Sequence, residues 1–340
     1  MTVLDLSDPR PTLADVARVA GVSSATASRV LNGFPQVRAE TRRQVEQAVR
    51  SLGYVRQRAA RAGEGQRTGT VAVVMCEDGL RLFSDPFFGR IMGGINRVFT
   101  AAGVQVVVLM MPSAGQAATF RYLGGGHVDG ALFVSTHARY TTALSHADLP
   151  VVSAGRPMVP DPAQCTYVDV DNRGGAEAAV RHLLAAGRRR IATVAGPKDM
   201  APGRDRLAGY AAAISGSALV DPGLVAHGDF GQASGEHATR QLLDRRPDLD
   251  AVFAASDVMA VGVLRALRRT GRRVPDDVAV IGFDNAPVSR RTDPPLTTVS
   301  QPVEALGARA AGELLAVLDG TVRQPRRVVL GTSLVVRASA

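Results

Sequence analysis

Residues 12–33 read TLADVARVAGVSSATASRVLNG, and this pattern predicts two short helices joined by a tight turn. Thr12 can cap the first helix because Asp15 follows three residues later, which is the spacing of a capping box. Gly21 breaks that helix, and Ser23 caps a second one. Two helices joined by a short glycine-containing turn form the arrangement whose second helix enters the major groove of DNA. The stretch therefore predicts a helix-turn-helix DNA reader; the alternative is a pair of amphipathic helices from an ordinary bundle.

The second helix has an inner and an outer face. Ala27 and Val30 lie at inward positions, whereas Arg29 lies outward and carries a fork that suits guanine. Short side chains beside it read bases weakly, and hydroxyl groups contact phosphates, which position the helix without specifying sequence. The residues that we expect to contact DNA in this domain are Thr12, Ser23, Ser24, Ala25, Thr26, Ser28, Arg29 and Asn32.

The basic charge is concentrated at the same end of the chain. Residues 1–70 contain eleven arginines and six acidic residues, a net charge of +5, whereas the whole chain of 340 residues carries +9. A basic segment of this kind indicates a polyanionic partner such as DNA. A genome that favours arginine over lysine would explain the residue type but not the clustering.

The stretch 12–33 closely resembles the N terminus of the lactose-repressor (LacI/GalR) family of bacterial transcription regulators. The resemblance continues through TRRQVEQAVRSLGY at 41–54. It implies a helix-turn-helix domain over 12–54, with a third helix at about Ala39–Leu52, after a flexible tail at 1–11. It also implies double-stranded operator DNA as a partner, bound by a homodimer whose two readers occupy the half-sites of a pseudo-palindrome.

Residues 55–69 depart from the hinge or linker of that family. Relatives carry a short helix that ends in Ala-Arg-x-Leu and wedges its Leu into the minor groove. This chain reads VRQRAARAGEGQRTGT from residue 55, and Gly63 falls where the Leu is expected. Because glycine cannot wedge a base step, we expect little bending of the operator. Phosphate contacts would come from Arg56, Arg58, Arg61 and Arg67, unless the segment is only a glycine-rich linker.

From residue 70 onward, strand-like runs alternate with helical patterns. The strand-like runs are 71–76, 104–109, 130–134, 151–153, 190–195, 251–255 and 278–283. The helical patterns lie at 87–102, 173–187, 203–214, 257–270 and 302–319. That alternation predicts parallel sheets covered by helices. The predicted fold is an N-terminal all-α helix-turn-helix domain followed by an α/β two-lobed domain like that of the periplasmic binding proteins, in agreement with the resemblance.

Residues 70–340 are expected to bind an effector and to form the dimer. We assign about 70–168 and 302–322 to lobe 1, and about 171–300 and 325–340 to lobe 2. Ligands of open α/β sheets bind at the carboxyl ends of the strands, so the cleft between the lobes is the predicted site. The resemblance implies a small effector there, a sugar or a sugar derivative.

Three motifs near predicted strand ends resemble effector-binding segments of the family. Residues 85–88, DPFF, resemble the Asn-Pro-Phe-Phe segment at the pocket wall, and we expect one of the two Phe rings to touch the ligand. Arg206 matches the arginine that commonly holds the effector through a bidentate fork. The alternative for Arg206 is a surface ion pair with Asp205. Asp284 matches a common effector-binding aspartate.

Two positions depart from the family pattern around the cleft. Ser256 stands where relatives usually carry Asn, so one hydrogen bond to the ligand would be lost or altered. Arg156 either favours an anionic effector or is neutralised by Asp171 or Asp284. Since the chain has no Trp, an aromatic platform for a ring would be Phe230. The predicted effector-binding residues are Asp85, Phe87, Phe88, Arg156, Arg206, Phe230, Ser256, Phe283, Asp284 and Gln301.

Other classes of protein receive little support from the sequence. The longest apolar runs, Val71–Cys76 and Val106–Met111, are far shorter than a membrane span, and the opening MTVLDLSDPR lacks the apolar core of a signal peptide. Two cysteines and the absence of CxxC, HExxH or GxSxG spacing argue against a metal centre or a known catalytic motif. We therefore expect a cytoplasmic, ligand-responsive repressor without cofactor or metal. The rival hypotheses are an enzyme and a solute-binding component of a transporter.

Overall fold

The computed structural model describes residues 11–31, 37–52, 54, 67–111, 116–140, 149–159, 161–214 and 221–340. The chain divides into two compact units, one formed by residues 1–66 with 124–127 and the other by residues 67–123 with 128–340. Several residues named above lie outside the described residues, namely Asn32, Arg56, Arg58, Arg61 and Gly63.

Three helices form the described part of the first unit: α1 (Leu13–Val19), α2 (Ser24–Leu31) and α3 (Ala39–Leu52). The capping box of α1 is complete, because the Thr12 hydroxyl accepts from the Asp15 amide at 3.2 Å and Asp15 accepts from the Thr12 amide at 2.9 Å. Ser23 caps α2 by accepting from the backbone amide of Thr26 at 3.1 Å. The predicted pair of capped helices is confirmed. The helices enclose a small core of Val16, Ala17, Ala20, Ala27, Val30, Val45 and Ala48.

The described part of the second unit contains two six-stranded sheets, and each sheet is the centre of one lobe. The lobe-1 sheet has the order β11-β5-β4-β3-β1-β2, and the lobe-2 sheet has the order β12-β10-β9-β8-β6-β7. The strands are β1 (Thr70–Met75), β2 (Gln105–Met110), β3 (Gly130–Val134), β4 (Val151–Ala154), β5 (Thr166–Val170), β6 (Ile191–Ala195), β7 (Val225–His227), β8 (Ala251–Ala254), β9 (Ala279–Asp284), β10 (Thr297–Ser300), β11 (Arg327–Leu330) and β12 (Ser333–Val335). All pairings are parallel except β10 with β12.

Successive residues of a strand point to opposite faces of the sheet, so each sheet has two apolar faces. Helices cover both of them. The helices in the described part of this unit are α4 (Gly79–Ser84), α5 (Pro86–Ala101), α6 (Gln116–Leu123), α7 (Asn172–Ala185), α8 (Ala201–Ile214), α9 (Gln232–Arg245), α10 (Asp257–Arg269) and α11 (Val303–Leu318). In lobe 1, Val73 packs toward α5 and α11, whereas Val74 packs toward α6. In lobe 2, Val252 packs toward α9 and α10, and Phe253 packs toward α7 and α8.

One predicted lobe boundary is wrong. Residues 325–340 were expected in lobe 2, but β11 pairs in parallel with β5 of lobe 1, with Arg327 opposite Tyr167. The outer edge of β5 offers unpaired backbone groups, and Val328 and Leu330 pack against the lobe-1 core. The last crossing between the lobes therefore lies between β11 and β12.

Candidate functional site

A cavity lies between the two lobes, where the carboxyl ends of strands from both sheets meet. Its empty volume is about 660 Å³, part of which is open to solvent. Eight of the ten predicted effector-binding residues line it, namely Asp85, Phe87, Arg156, Arg206, Phe230, Ser256, Asp284 and Gln301. The position of the cavity agrees with the prediction from strand order.

Arg206 is held in place by several polar groups of lobe 2. Its Nε donates to Asn172 Oδ1 at 2.9 Å, and a terminal nitrogen donates to the Ala255 carbonyl at 2.6 Å. The same nitrogen lies 3.4 Å from an oxygen of Asp284. The guanidinium carbon also lies 3.7 Å from the centroid of the Phe283 ring. Burial lowers the pKa of Arg206, and the neighbouring carboxylates oppose that shift.

Asp284 is the last residue of β9 and lies beside the guanidinium group of Arg206. It accepts a hydrogen bond from the side-chain amide of Gln301. Burial raises the pKa of Asp284 to about 6, although Arg206 lowers it. A carboxylate and a guanidinium group side by side offer both an acceptor and a donor to a ligand hydroxyl.

Phe88 and Phe283 do not reach the cavity wall. Phe88 is buried in the lobe-1 core and Phe283 in the lobe-2 core, so the structure does not bring these two predicted residues to the cavity. Phe87 is therefore the ring of the DPFF segment that faces the cavity, as expected for one of the two. Residues 87 and 88 are adjacent on a helix, which turns them by about 100° relative to each other.

Backbone conformation at the strand ends is unusual. Among the described residues, the non-glycine residues with positive φ are Ser135, Phe230, Asp284 and Asn285. Three of them line the cavity, namely Ser135, Phe230 and Asp284. Such conformations cost on the order of 1–3 kcal/mol each and concentrate at functional sites. The strain therefore supports this cavity as the functional one.

In the first unit, α2 presents an exposed polar face. Ser23, Ser24, Ala25 and Arg29 are exposed, as is Thr12 before α1. Thr26 and Ser28 are partly buried, and the hydroxyls of Ser23 and Thr26 lie 2.9 Å apart. These positions agree with an outward-facing recognition helix.

Comparison with known proteins identifies the family. "Bacterial regulatory proteins, lacI family" matches residues 12–57, and "Periplasmic binding protein-like domain" matches residues 180–340. The HTH-type transcriptional regulator CelR of Thermobifida fusca is 45% identical over 97% of this chain and 98% of its own length. The chain belongs to the LacI family. Its members are transcriptional regulators and not enzymes.

Other relatives of this LacI-family chain agree in fold and length. The transcriptional repressor CytR of Escherichia coli K12 is 34% identical, with 96% of each chain covered. A solved structure of a CelR–cellobiose complex has a TM-score of 0.79 and 44% identity, and covers 97% of this chain and all of its own. A lac repressor dimer bound to operator and the anti-inducer ONPF has a TM-score of 0.71 and 29% identity, with 97% and 99% covered.

Ser256 and Arg156, the two departures from the family pattern, are both engaged by protein groups. Ser256 Oγ accepts from the Met259 amide at 3.1 Å and so caps α10. The same oxygen donates to the Phe230 carbonyl at 3.2 Å. Arg156 pairs with Asp205, so neither Asp171 nor Asp284 neutralises it, and Arg206 does not form the surface pair considered for it.

Sequence reasoning missed several residues of the cavity wall. Asp169 lies at the carboxyl end of β5 and Asn172 begins α7; both line the cavity, and Asp169 accepts from the Asn172 side-chain amide at 3.1 Å. Burial raises the pKa of Asp169 as well as that of Asp85. Recognition of TYVDV as a strand would have placed Asp169 and Asn172 at the cleft. Arg81 also lines the wall, and no motif marked it.

Two negative findings concern the described part of this LacI-family chain. No helix there is both long and apolar enough to cross a membrane. Among the same residues, no group of three or more His, Cys, Asp or Glu side chains could hold a metal ion.

Arg67, which we had expected on DNA phosphates, pairs with Asp319 and donates to the Leu318 carbonyl.

Proposed function

We propose that this protein is a homodimeric, sugar-responsive repressor that binds a pseudo-palindromic operator in the cytoplasm. The single observation that carries the effector half of the proposal is the cavity between the lobes, whose wall combines Arg206 and Asp284 with aromatic side chains. The operator half rests on the exposed face of α2 and on the similarity to relatives that are DNA-binding regulators.

The charge balance of the cavity favours a neutral carbohydrate. Arg81, Arg156 and Arg206 are matched on the wall by the three carboxylates of Asp85, Asp169 and Asp284. Each guanidinium group also has an acidic partner, namely Glu77, Asp205 and Asp284 respectively. A sugar phosphate would need a surplus of positive charge, whereas sugar hydroxyls use donors and acceptors together.

Cellobiose is the first effector to test. CelR, with 44% identity to this chain in the solved structure, was solved in complex with cellobiose, and this chain covers the whole of that structure. Phe87 and Phe230 supply the apolar surface on the cavity wall that the faces of pyranose rings require.

Lobe 1 offers a surface for a second copy of the chain. β2 lies at the edge of its sheet, and Val108 and Met110 on it are about half exposed, at 48% and 51%. An exposed apolar edge strand is a liability in a monomer and is normally covered. The dimer stated for the lac repressor structure supports self-association here. Analytical ultracentrifugation should give a dimer, and Val108→Asp with Met110→Asp should shift it toward monomer.

Operator binding and sugar response are tested together by fluorescence anisotropy. The labelled operator would be selected from a random palindromic library with the full-length protein. Cellobiose should reduce operator affinity, and removal of residues 1–60 should abolish specific binding. A thermal-shift panel of sugars, sugar phosphates and nucleosides provides the control, since a ligand at 100 times its Kd adds about 2.7 kcal/mol to stability. Stabilisation by sugar phosphates or nucleosides alone would contradict the carbohydrate assignment.

A further inference from the structure

Arg81 lies on α4 of lobe 1 and reaches toward lobe 2. Its guanidinium carbon is 5.2 Å from the centroid of the Phe230 ring, which belongs to lobe 2, and 6.0 Å from that of Phe88 in its own lobe. Both distances allow a cation–π interaction. Since Arg81 and Phe230 both line the cavity, this contact crosses the cleft at the ligand site.

The Arg81 side chain has a donor that the protein does not use. One terminal nitrogen donates to Glu77 Oε1 at 2.7 Å, but Nε is buried and, among the described residues, has no hydrogen-bond partner. Two other buried side-chain atoms in that part of the chain share this property, on Tyr140 and Glu313, and neither residue lines the cavity. Buried donors are normally satisfied, so the guanidinium group of Arg81 keeps hydrogen-bonding capacity that the protein does not use, and Arg81 lines the cavity.

Glu77 fixes the direction in which Arg81 points. Its Oε1 accepts from Arg81 and from the Ser135 hydroxyl, each at 2.7 Å, and lies 3.2 Å from His137 Nε2. Glu77 itself is 5% exposed. His137 Nδ1 in turn lies 2.9 Å from Asp199 of lobe 2. The group that orients Arg81 is thus anchored in both lobes.

We propose that Arg81 is an effector-binding residue of lobe 1, which donates from its guanidinium group to an oxygen of a neutral sugar, and that Glu77 is its positioning residue. This inference rests on the function proposed above. Arg206 and Asp284 bind the same sugar from lobe 2, so the effector is held by guanidinium groups from both lobes. The affinity for sugar therefore depends on the arrangement of the lobes, which is what a regulator of this kind must sense.

Calorimetric titration of the full-length protein with cellobiose tests the assignment. Arg81→Gln removes the charge and the guanidinium group, and Arg81→Lys keeps the charge but lacks the planar set of guanidinium donors. Both variants should weaken the affinity at least tenfold. The matched control is Arg309→Gln, because Arg309 also pairs with a carboxylate, Glu313, but within one helix of lobe 1, and it does not line the cavity. That control should bind cellobiose within twofold of the wild type.

The role of Glu77 is tested by a double-mutant cycle. Glu77→Gln should weaken cellobiose binding, and the loss should vanish when Arg81 is already Gln, because the two residues act as a unit. A merely structural role would lower the melting temperature and leave the losses in affinity additive.

The outcomes separate this inference from the proposed function. If the wild type binds cellobiose and Arg81→Lys binds it equally well, Arg81 is not an effector-binding residue and the sugar-responsive function stands. If the wild type binds neither cellobiose, maltose nor glucose, the proposed effector class is wrong and the assignment of Arg81 falls with it. Melting temperatures close to that of the wild type show that each variant is folded.

Discussion

Arg156 and Asp205 join the two lobes beside the cavity. One terminal nitrogen of Arg156 lies 2.6 Å from each carboxylate oxygen of Asp205. Arg156 follows β4 in lobe 1, and Asp205 lies on α8 in lobe 2. About a third of each side chain is exposed, 32% and 28%, so salt screens the pair only in part. The pair therefore stabilises the arrangement of the lobes in which the cavity wall is complete.

Breaking this pair should weaken sugar binding. Arg156→Gln and Asp205→Asn should each lower the affinity for cellobiose by roughly three- to tenfold, and the double variant should lose no more than either single one. The corresponding coupling energy is about 1 kcal/mol. Calorimetry at low and high ionic strength measures it, and additive losses would contradict the coupling. Arg181→Gln, which breaks an exposed pair with Glu177 on α7, is the control and should leave the affinity unchanged.

Sugar affinity should depend on pH through Asp284. Burial raises the pKa of this carboxyl to about 6, and only the ionised form offers both oxygens as acceptors to sugar hydroxyls. The affinity for cellobiose should therefore fall as the pH drops through about 6, by at most about tenfold per pH unit. Calorimetry on either side of pH 6 measures the slope. Asp284→Asn cannot ionise and should show a flatter profile; an unchanged slope would assign the titration to another group.

The raised pKa of Asp284 also determines the direction in which this residue changes the free energy of unfolding with pH. Because the folded-state value lies above the ordinary 3.8, the folded protein binds this proton more tightly than the unfolded chain. The contribution of Asp284 to stability is therefore fully present below about pH 4 and is lost as the pH rises through about 6. Denaturant unfolding should show Asp284→Asn gaining stability relative to the wild type over that interval.

Arg29 should specify sequence rather than merely hold phosphate. It is exposed on α2, where its fork can contact two acceptors of one guanine. Arg29→Gln should cost about 1–3 kcal/mol of specific binding and relax preference at one operator position. Fluorescence anisotropy with the selected operator and with each base changed at that position measures both effects. An equal loss on every sequence would reassign Arg29 to a phosphate.

The resemblance to the family predicted Arg206, Asp284 and Gln301, whereas the strand pattern predicted the cleft where they lie, because loops after parallel strands converge at one edge of a sheet. Arg81 escaped prediction because its role depends on Phe230, a residue far along the chain and in the other lobe. The sequence also did not reveal that Arg156 pairs with Asp205. Several carboxylates could pair with Arg156, and which of them does so depends on how the two lobes pack.

The assignment of β11 to lobe 2 was wrong for a related reason. Arg327–Leu330 is a short, half-exposed strand, and neither its composition nor its place near the end of the chain says which sheet edge is open to it. β11 belongs to lobe 1 because it pairs with the free edge of β5. Which sheet edges are free is known only from the assembled fold. Local patterns therefore predicted elements and strand ends well, whereas contacts between distant segments required the structure.

The sequence of the hinge, residues 55–69, predicts weak bending of operator DNA. Gly63 stands where relatives insert a Leu into the minor groove, so wild-type protein should bend its operator little. Gly63→Leu should increase the bend, since a branched apolar side chain can then separate a base step. Circular-permutation electrophoresis measures the bend. A wild-type bend equal to that of a Leu-bearing relative would contradict the prediction.

Two neighbouring glycines of α5 should respond in opposite ways to alanine. A methyl group at Gly94 would overlap the backbone carbonyl oxygen of Glu304, where α5 and α11 pack closely in the lobe-1 core. Backbone cannot rotate away as a side chain can, so Gly94→Ala should destabilise by about 1–3 kcal/mol. Gly93 is exposed, and a methyl there meets no other atom of the described residues within 4 Å.

Gly93→Ala should therefore stabilise the helix by up to about 1 kcal/mol, which is the difference in helix propensity. Denaturant unfolding of both variants measures the contrast, and equal effects would mean that propensity rather than packing decides. Because Asp85 caps α5 and Phe87 lies in its first turn, both on the cavity wall, a shift of α5 away from α11 displaces both residues. Gly94→Ala should consequently weaken cellobiose binding as well, whereas Gly93→Ala should not.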